Sequence, residues 1–331
     1  MIDISGKRIL FVGIGFYDYE KIIKQNLEER GAEVFYFSSD IAYFGNGPLH
    51  RLGLHNLAIK IAGAKLNALL AEQPTEVDYI FIIKALNFQK KHFEYIKACY
   101  PNAPIVIYLW DSLNRLYNKN VILSATNRIL TFDREDAVKY NLILRPLFAR
   151  SVNQQSEKNC EKYNVVFIGL DHSIRYNVIK KLRKQMDDNG VKYKIVLTSK
   201  SIFKFIGIYI THRIRKKDKD LFLTEPLPYS EYLQILNNTN VVLDISHPKQ
   251  TGLTMRTIET LAMGKRIITT NKDIVHYNIP QYIYSVIDYE HPVLDLGFIQ
   301  NNDHRVIDIS YFTLQKFVDD ILSYLCEHAD Q

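Results

Sequence analysis

Between His247 and Asn271 the chain reads HPKQTGLTMRTIETLAMGKRIITTN, and the residue types in this stretch suit the binding of an oxyanion. Gly252 lacks a Cβ, so the backbone there can approach a ligand closely. Thr254 stands where helical spacing begins, and a helix N-terminus presents unpaired N–H groups with about half a positive charge. Lys249 and Arg256 can add charge-assisted bonds to phosphate oxygens. The combination fits a phosphate or diphosphate. Glu259 lies one turn beyond Arg256 and can accept hydrogen bonds from a ribose diol. A plainer reading stays open: Thr254 caps the helix, and Arg256 with Glu259 is a solvated pair contributing about half a kcal/mol. His247, before a proline, is either a contact to phosphate or sugar or an ordinary loop side chain.

The other candidates are acids. Asp111 ends the apolar run PIVIYLWD, where strand ends aim side chains at ligands, and it can act as a general base toward a hydroxyl. Its alternative is a helix cap or loop acid. Trp110, the only tryptophan, adjoins it, and a continuing strand would turn the two to opposite faces. Asp18, after GIGFY, is the second candidate base. Asp133 and Asp136, in FDREDA, read as cap and first-turn acids.

These groups need strands and helices to hold them. RILFVGIG is a continuous apolar run closed by glycines, as in a parallel strand buried on both faces. A helical DYEKIIKQNLEERG, a strand AEVFYF, a strand VDYIFIIKAL, a helix KKHFEYIKACY, the strand before Asp111, then RILTFD and REDAVKYN continue the alternation. Polar, aperiodic residues 151–163 form a linker, and the pattern restarts with NVVFIG, a helix from Ile174, YKIVLTS, SEYLQILNNT, VVLDIS, the opening stretch and a last helix near FTLQKFVDDILSYLCEH. The fold class is therefore α/β, two tandem Rossmann-like domains over 1–150 and 164–331, with a cleft between them at the carboxyl ends of both sheets. The C-terminal helix either stays in the second domain or crosses back onto the first.

The run from Gln250 to Asn271 resembles the C-terminal donor-site motif of GT-B glycosyltransferases. It is most similar to bacterial enzymes of capsule, exopolysaccharide and lipopolysaccharide synthesis, in which GLT-R-IE-L--GK--ITTN recurs. YLWDS at 108–112, LTFDREDAVKYN at 130–141 and VVFIGLDHSIRYNVIKKL at 165–182 resemble the same group, in the same order. The resemblance implies that Glu259 holds the nucleotide ribose and that Gly252, Leu253 and Thr254 lie beside the diphosphate. It implies too that Arg175, after the strand ending at Gly169, faces the leaving diphosphate; its alternative is a surface helix residue. Many retaining members carry two glutamates eight positions apart, and counting back from Glu259 gives Thr251, so the first acid is missing and the stereochemical class is open. Gln250 and Thr251 can still hydrogen-bond sugar hydroxyls. The implied nucleobase contacts are backbone groups near Thr198 and residues 226–228.

Composition narrows the field. The chain has 331 residues, 47% hydrophobic and 24% charged, with formal net charge +6, enough for a large core and a mild preference for anionic partners. Cys99, Cys160 and Cys326 show no paired spacing, which predicts reduced thiols and no soft metal site. Histidines lack ligand spacing and no DxD motif of the metal-dependent kind appears at a strand end, so neither a metal nor a cofactor beyond the nucleotide-sugar co-substrate is expected. The N-terminus does not read as a signal peptide, and no apolar run approaches the roughly 18 residues of a membrane span. A cytoplasmic protein is expected. In 199–219 seven Lys/Arg between 200 and 219 accompany one Asp and interleaved aromatics, either an ordinary helix or a segment touching anionic lipid on the inner face of the membrane. The expected partners are a nucleotide-sugar donor and a glycan or lipid-linked acceptor, not nucleic acid, since the basic cluster is local. Two alternatives are an NAD-dependent oxidoreductase, whose GxGxxG pattern would need glycine at Asp18, and a non-enzymatic two-domain sugar-binding protein.

Overall fold

Apolar runs too short for helices and bounded by turns become parallel strands when helices can cover both faces. A computed structural model of the chain describes residues 2–15, 19–39, 53–150, 162–171, 174–198, 216–223, 225, 227–248, 250–301 and 307–326. Asp18, Lys249, most of the expected linker and most of the basic segment lie outside the described residues.

The first sheet contains β1 (Arg8–Gly13), β2 (Glu33–Ser38), β3 (Tyr79–Ile83), β4 (Ile105–Leu109), β5 (Ile129–Thr131) and β6 (Ile143–Leu144), ordered β2-β1-β3-β4-β5-β6 with every pair parallel. All residues of β3 and β4 are buried. Phe11 stacks on Phe81 of the neighbouring strand with centroids 5.0 Å apart. The crossovers are α1 (Tyr19–Glu29), α2 (His55–Ala71), α3 (Lys90–Cys99), α4 (Lys119–Ala125) and α5 (Arg134–Tyr140). Helix α2 buries Ala58, Ala62, Leu66 and Leu70 as one stripe, although further apolar residues surround it.

The second sheet contains β7 (Tyr163–Leu170), β8 (Tyr193–Thr198), β9 (Phe222–Leu223), β10 (Thr239–Asp244), β11 (Arg266–Thr269) and β12 (Tyr284–Val286), ordered β12-β11-β10-β7-β8-β9, again all parallel. Its helices are α6 (Arg175–Asp188), α7 (Tyr229–Asn237), α8 (Met255–Ala262) and α9 (Leu296–Gln300). Strand alternation divides the core. Val165 and Phe167 pack with Val178, Ile179 and Leu182 of α6, while Val166 and Ile168 pack with Leu236 of α7. In such sheets ligands bind where the strand order reverses, between β1 and β3 in the first and between β7 and β10 in the second.

Two details depart from the expected division. Strand β7 begins at Tyr163, inside the expected linker. More substantially, the compact units are Met1–Arg150 with Ser310–Gln331, and Ser151–Ile309, so the second domain does not run to 331. The reason lies in α10 (Leu314–Cys326), which buries Phe317, Val318, Ile321, Leu322 and Leu325. Phe317 packs against Tyr108 and Phe148, at 4.9 and 4.6 Å between centroids. Arg145, buried between contacts to Tyr311 and Phe317, pairs with Asp320 at 2.7 Å, and Arg30 pairs with Asp319 at 2.6 Å. The helix thus belongs with the first sheet.

Candidate functional site

Asp244 is the last residue of β10 and is fully buried, so its charge needs partners. One carboxylate oxygen, Oδ1, accepts from Arg256 Nη1 at 2.9 Å; the other, Oδ2, accepts from the hydroxyls of Thr254 and Thr257 at 3.1 and 3.0 Å. Arg256 reaches on to the Ile168 carbonyl of β7 through Nη2, at 2.7 Å. It passes over Gly169, where an added Cβ would collide with Nη2. Arg175, the first residue of α6, donates from Nε to the Ile245 carbonyl at 2.7 Å and from Nη1 to the Leu170 carbonyl at 2.9 Å. Both guanidiniums lie over the Phe167 ring, Arg256 at 4.9 Å and Arg175 at 5.9 Å. They therefore occupy the end of the sheet where strand order reverses.

The electrostatics there favour an incoming anion. Burial, and next the charge of Arg256, pull the Arg175 guanidinium down to about 10, although Asp244 and Asp171 oppose the shift. The cation is under-neutralised, and an oxyanion would relieve it. The bonds above use two of the five N–H groups on each guanidinium.

The opening stretch forms the helix start that the sequence predicts. Thr254 is extended and its hydroxyl accepts from Thr257 N at 3.1 Å, a cap that contributes about 1 kcal/mol. The N–H groups of Met255 and Arg256, first in α8, have no acceptor among the described residues. Asn271 fixes the preceding loop by donating to the carbonyls of Thr251 and Gly252 at 3.1 and 2.9 Å, and Gln250 N closes a turn onto the His247 carbonyl at 3.0 Å. Gly252 and Leu253 are buried, whereas His247, Gln250 and Thr251 are half-buried. Gly264 ends the helix at φ 64, with Lys265 N on Thr260 O at 3.0 Å and Gly264 N on Leu261 O at 2.9 Å, the bond pattern a left-handed glycine permits. Glu259, half-buried, accepts from Tyr232 of α7 at 3.3 Å. Thr198 ends β8, and its carbonyl accepts from Asp171 N at 2.8 Å.

The first unit gathers carboxylates instead. Strand β4 stops at Leu109, the condition for a joint site of Trp110 and Asp111, but the Trp110 ring packs with Tyr19, Tyr108 and Phe148. Asp111 pairs with Lys84 Nζ at 2.7 Å and Arg115 Nη1 at 2.8 Å. Lys84 and Ala85 both have left-handed φ, 67° and 48°, which costs roughly 1–2 kcal/mol per residue. Asn118 holds that turn through the carbonyls of Ala85 and Phe88, at 2.7 and 2.9 Å. Asp133 caps α5 and bonds the Ser112 hydroxyl, and Asp136 accepts from Leu113 N at 2.6 Å. Burial, with Asp133 and Glu135 nearby, pushes Asp136 up to about 6. Glu20 is buried and accepts from Ile14 N at 3.0 Å, so the turn after β1 spends on a carboxylate an N–H that a dinucleotide pyrophosphate would use.

Sequence reasoning singled out Arg175, Arg256 and the α8 start but gave no role to Asp244, Gly169 and Asn271, which surround them, or to Lys84, which holds Asp111. Asp244 left a signal, an acid closing the apolar VVLD, and Gly169 closes VVFIG in the same way. Asn271 closes the motif that the resemblance rests on, without a sign of its bonds to Thr251 and Gly252, and Lys84 left no signal, since its partner Asp111 is distant in sequence. The Asp-x-Asp at 218–220 precedes β9, but Arg183 takes both acids, at 3.0 and 3.3 Å, and Asp218 also accepts from Tyr176. Among the described residues no group of three or more His, Cys, Asp or Glu is arranged to hold a metal ion, and no helix is long and apolar enough to cross a membrane.

No protein-family model matches the chain, and no curated protein matches it in sequence. Solved structures do. The catalytic domain of starch synthase IV from Arabidopsis thaliana, bound to ADP and acarbose, is similar with a TM-score of 0.58 at 10% identity, over 99% of this chain and 100% of that one. The apo form of the lipopolysaccharide outer core galactosyltransferase WaaB is similar with a TM-score of 0.53 at 14% identity, over 97% of this chain and 99% of that one. With two parallel six-stranded sheets in this order, the chain has the fold of the GT-B glycosyltransferases.

Proposed function

We propose that this protein is a metal-independent glycosyltransferase that moves a sugar from a nucleotide-sugar donor to a glycan or lipid-linked acceptor in bacterial surface polysaccharide synthesis. The observation that carries the reading is Arg175, a buried guanidinium held by the carbonyls of Ile245 and Leu170 and sharing the Phe167 ring with Arg256, where the strand order of the second sheet reverses. Support for a nucleoside diphosphate comes from the neighbouring fold of an enzyme bound to ADP, and support for a surface glycan from the fold shared with a lipopolysaccharide galactosyltransferase.

Breaking the bond between the sugar and the diphosphate leaves negative charge on phosphate oxygens. Without a metal that charge must be met by fixed cations and dipoles. Arg175 and the open N–H groups at the α8 start fill this role, with Gly252, Leu253 and Thr254 beside the diphosphate and Lys249 adding charge. Glu259 takes the ribose hydroxyls. Gln250, Thr251 and His247 adjoin the donor sugar. The acceptor hydroxyl bonds the sugar carbon and gives its proton to Asp111, or to Asp18 as the second candidate. Asp111 must release Lys84 or Arg115 to take that proton, because both its oxygens hold a cation. The protein then works in the cytoplasm, with 199–219 either an ordinary helix or a segment against anionic lipid.

Titration calorimetry with UDP, GDP, dTDP, CMP and NAD, in EDTA, tests the reading. Binding of one nucleotide of the sugar-carrier set without NAD is expected. Binding of NAD alone would overturn it. Flotation with anionic and neutral vesicles tests the membrane contact, which equal recovery from both would remove.

A further inference from the structure

The sequence places Arg256 against a phosphate, but its bonds in the structure run elsewhere. We infer that Arg256 is a positioning residue: with Asp244 it clamps the ends of β7 and β10 together and so sets the direction of the α8 N-terminus. The inference rests on the donor site proposed for the second unit.

Three observations carry it. The two arms of the guanidinium serve different strands, Nη1 on Asp244 of β10 and Nη2 on the Ile168 carbonyl of β7. A planar fork can do both at once, and a lysine ammonium on a single stem cannot do so with the same geometry. The second oxygen of the same carboxylate holds the hydroxyls of Thr254 and Thr257, the cap and first turn of α8. One buried acid therefore joins the guanidinium to the helix start. Finally, β7 carries glycine at position 169, where any Cβ would strike Arg256 Nη2. The neighbouring strand is cut away to admit the side chain, which fits a built-in brace better than an arm that reaches for solvent and ligand. The N–H groups of Met255 and Arg256 then point where the clamp aims them, and small misplacements of such donors are costly.

Arg256→Lys, Asp244→Asn, Gly169→Ala and the double variant Asp244→Asn/Arg256→Lys test the inference, with Arg175→Met as the contrast. UDP, GDP and dTDP are titrated at low and high salt, and amide exchange is measured in the protein without nucleotide. Arg256→Lys is expected to weaken binding of the preferred diphosphate about tenfold while its salt dependence matches wild type, since no ion pair with phosphate is lost. Exchange at Thr257 and Ile258 should quicken. Gly169→Ala, which displaces the guanidinium without removing it, should repeat both effects. In the double variant the losses should not add, because one clamp is broken twice. A flattened salt dependence in Arg256→Lys, like that expected of Arg175→Met, would make Arg256 a phosphate contact and overturn the inference. Unchanged affinity with unchanged exchange, or additive losses, would overturn it too. If wild type binds none of the three nucleotides, the donor-site proposal fails, and the exchange data alone still decide whether the clamp exists.

Discussion

At the ends of β7 and β10 the prominent side chains are two guanidiniums, Arg175 and Arg256, with Asp244 bonded to one of them. At the ends of β1, β3, β4 and β5 they are carboxylates: Glu20, Asp111, Asp133 and Asp136, with Lys84 and Arg115 as counter-ions of one. The two sheets share a doubly wound plan, yet the same place in each carries opposite chemistry. A doubly wound sheet supplies a position for ligands and leaves the charge of that position to a few side chains. A cationic end suits the departing diphosphate, and an acidic end suits the removal of a proton from a hydroxyl.

Four measurements can break or sharpen this contrast. Arg175→Met should lower turnover about 10²–10³-fold, as loss of a group that meets developing charge does. Wild-type turnover in that variant would remove the cationic end from the chemistry. Asp111→Asn should lower turnover about 10²-fold while leaving donor affinity alone. Equal loss of both would make the Lys84–Asp111–Arg115 cluster a structural one. Glu259→Ala should weaken nucleotide binding about tenfold with a nearly unchanged melting curve, because Glu259 is half-buried and water can replace its bond from the half-buried Tyr232 hydroxyl. The smallest effect concerns pH. Asp136 has a folded pKa of about 6 against an ordinary 3.8, so the native state binds more protons in that window and stability falls as pH rises through it. Asp136→Asn should remove this slope, and the difference in melting temperature between wild type and variant should grow from pH 4 to 6 and then level off. A constant difference across the window would show that Asp136 titrates as it does in the unfolded chain.

The α8 start was legible because its cap and its stop are local, although the side chains that hold it in place are not. Thr254 and Gly264 sit within a single turn of the helix they begin and end, and the apolar positions between them repeat at helical spacing. The long strands were legible for the same reason, as continuous apolar runs between turn residues. Edge strands β6, β9 and β12 were not, since two or three residues carry no period. The readings of Asp133 and Asp136 as cap and first-turn acids hold, with the added finding that both also tie the loop after β4.

By itself the sequence determined two α/β units, the helix that opens at Thr254 and the residue types able to meet an oxyanion, because spacing along the chain fixes which side chains share a strand face or a helix turn. Only the tertiary structure decided that α10 returns to the first sheet, that Asp111 is held by Lys84 and Arg115, and that Arg256 is engaged by Asp244 and Ile168. Those outcomes depend on partners up to 289 positions apart in the chain, and no local period records which distant carbonyl or carboxylate a side chain will meet.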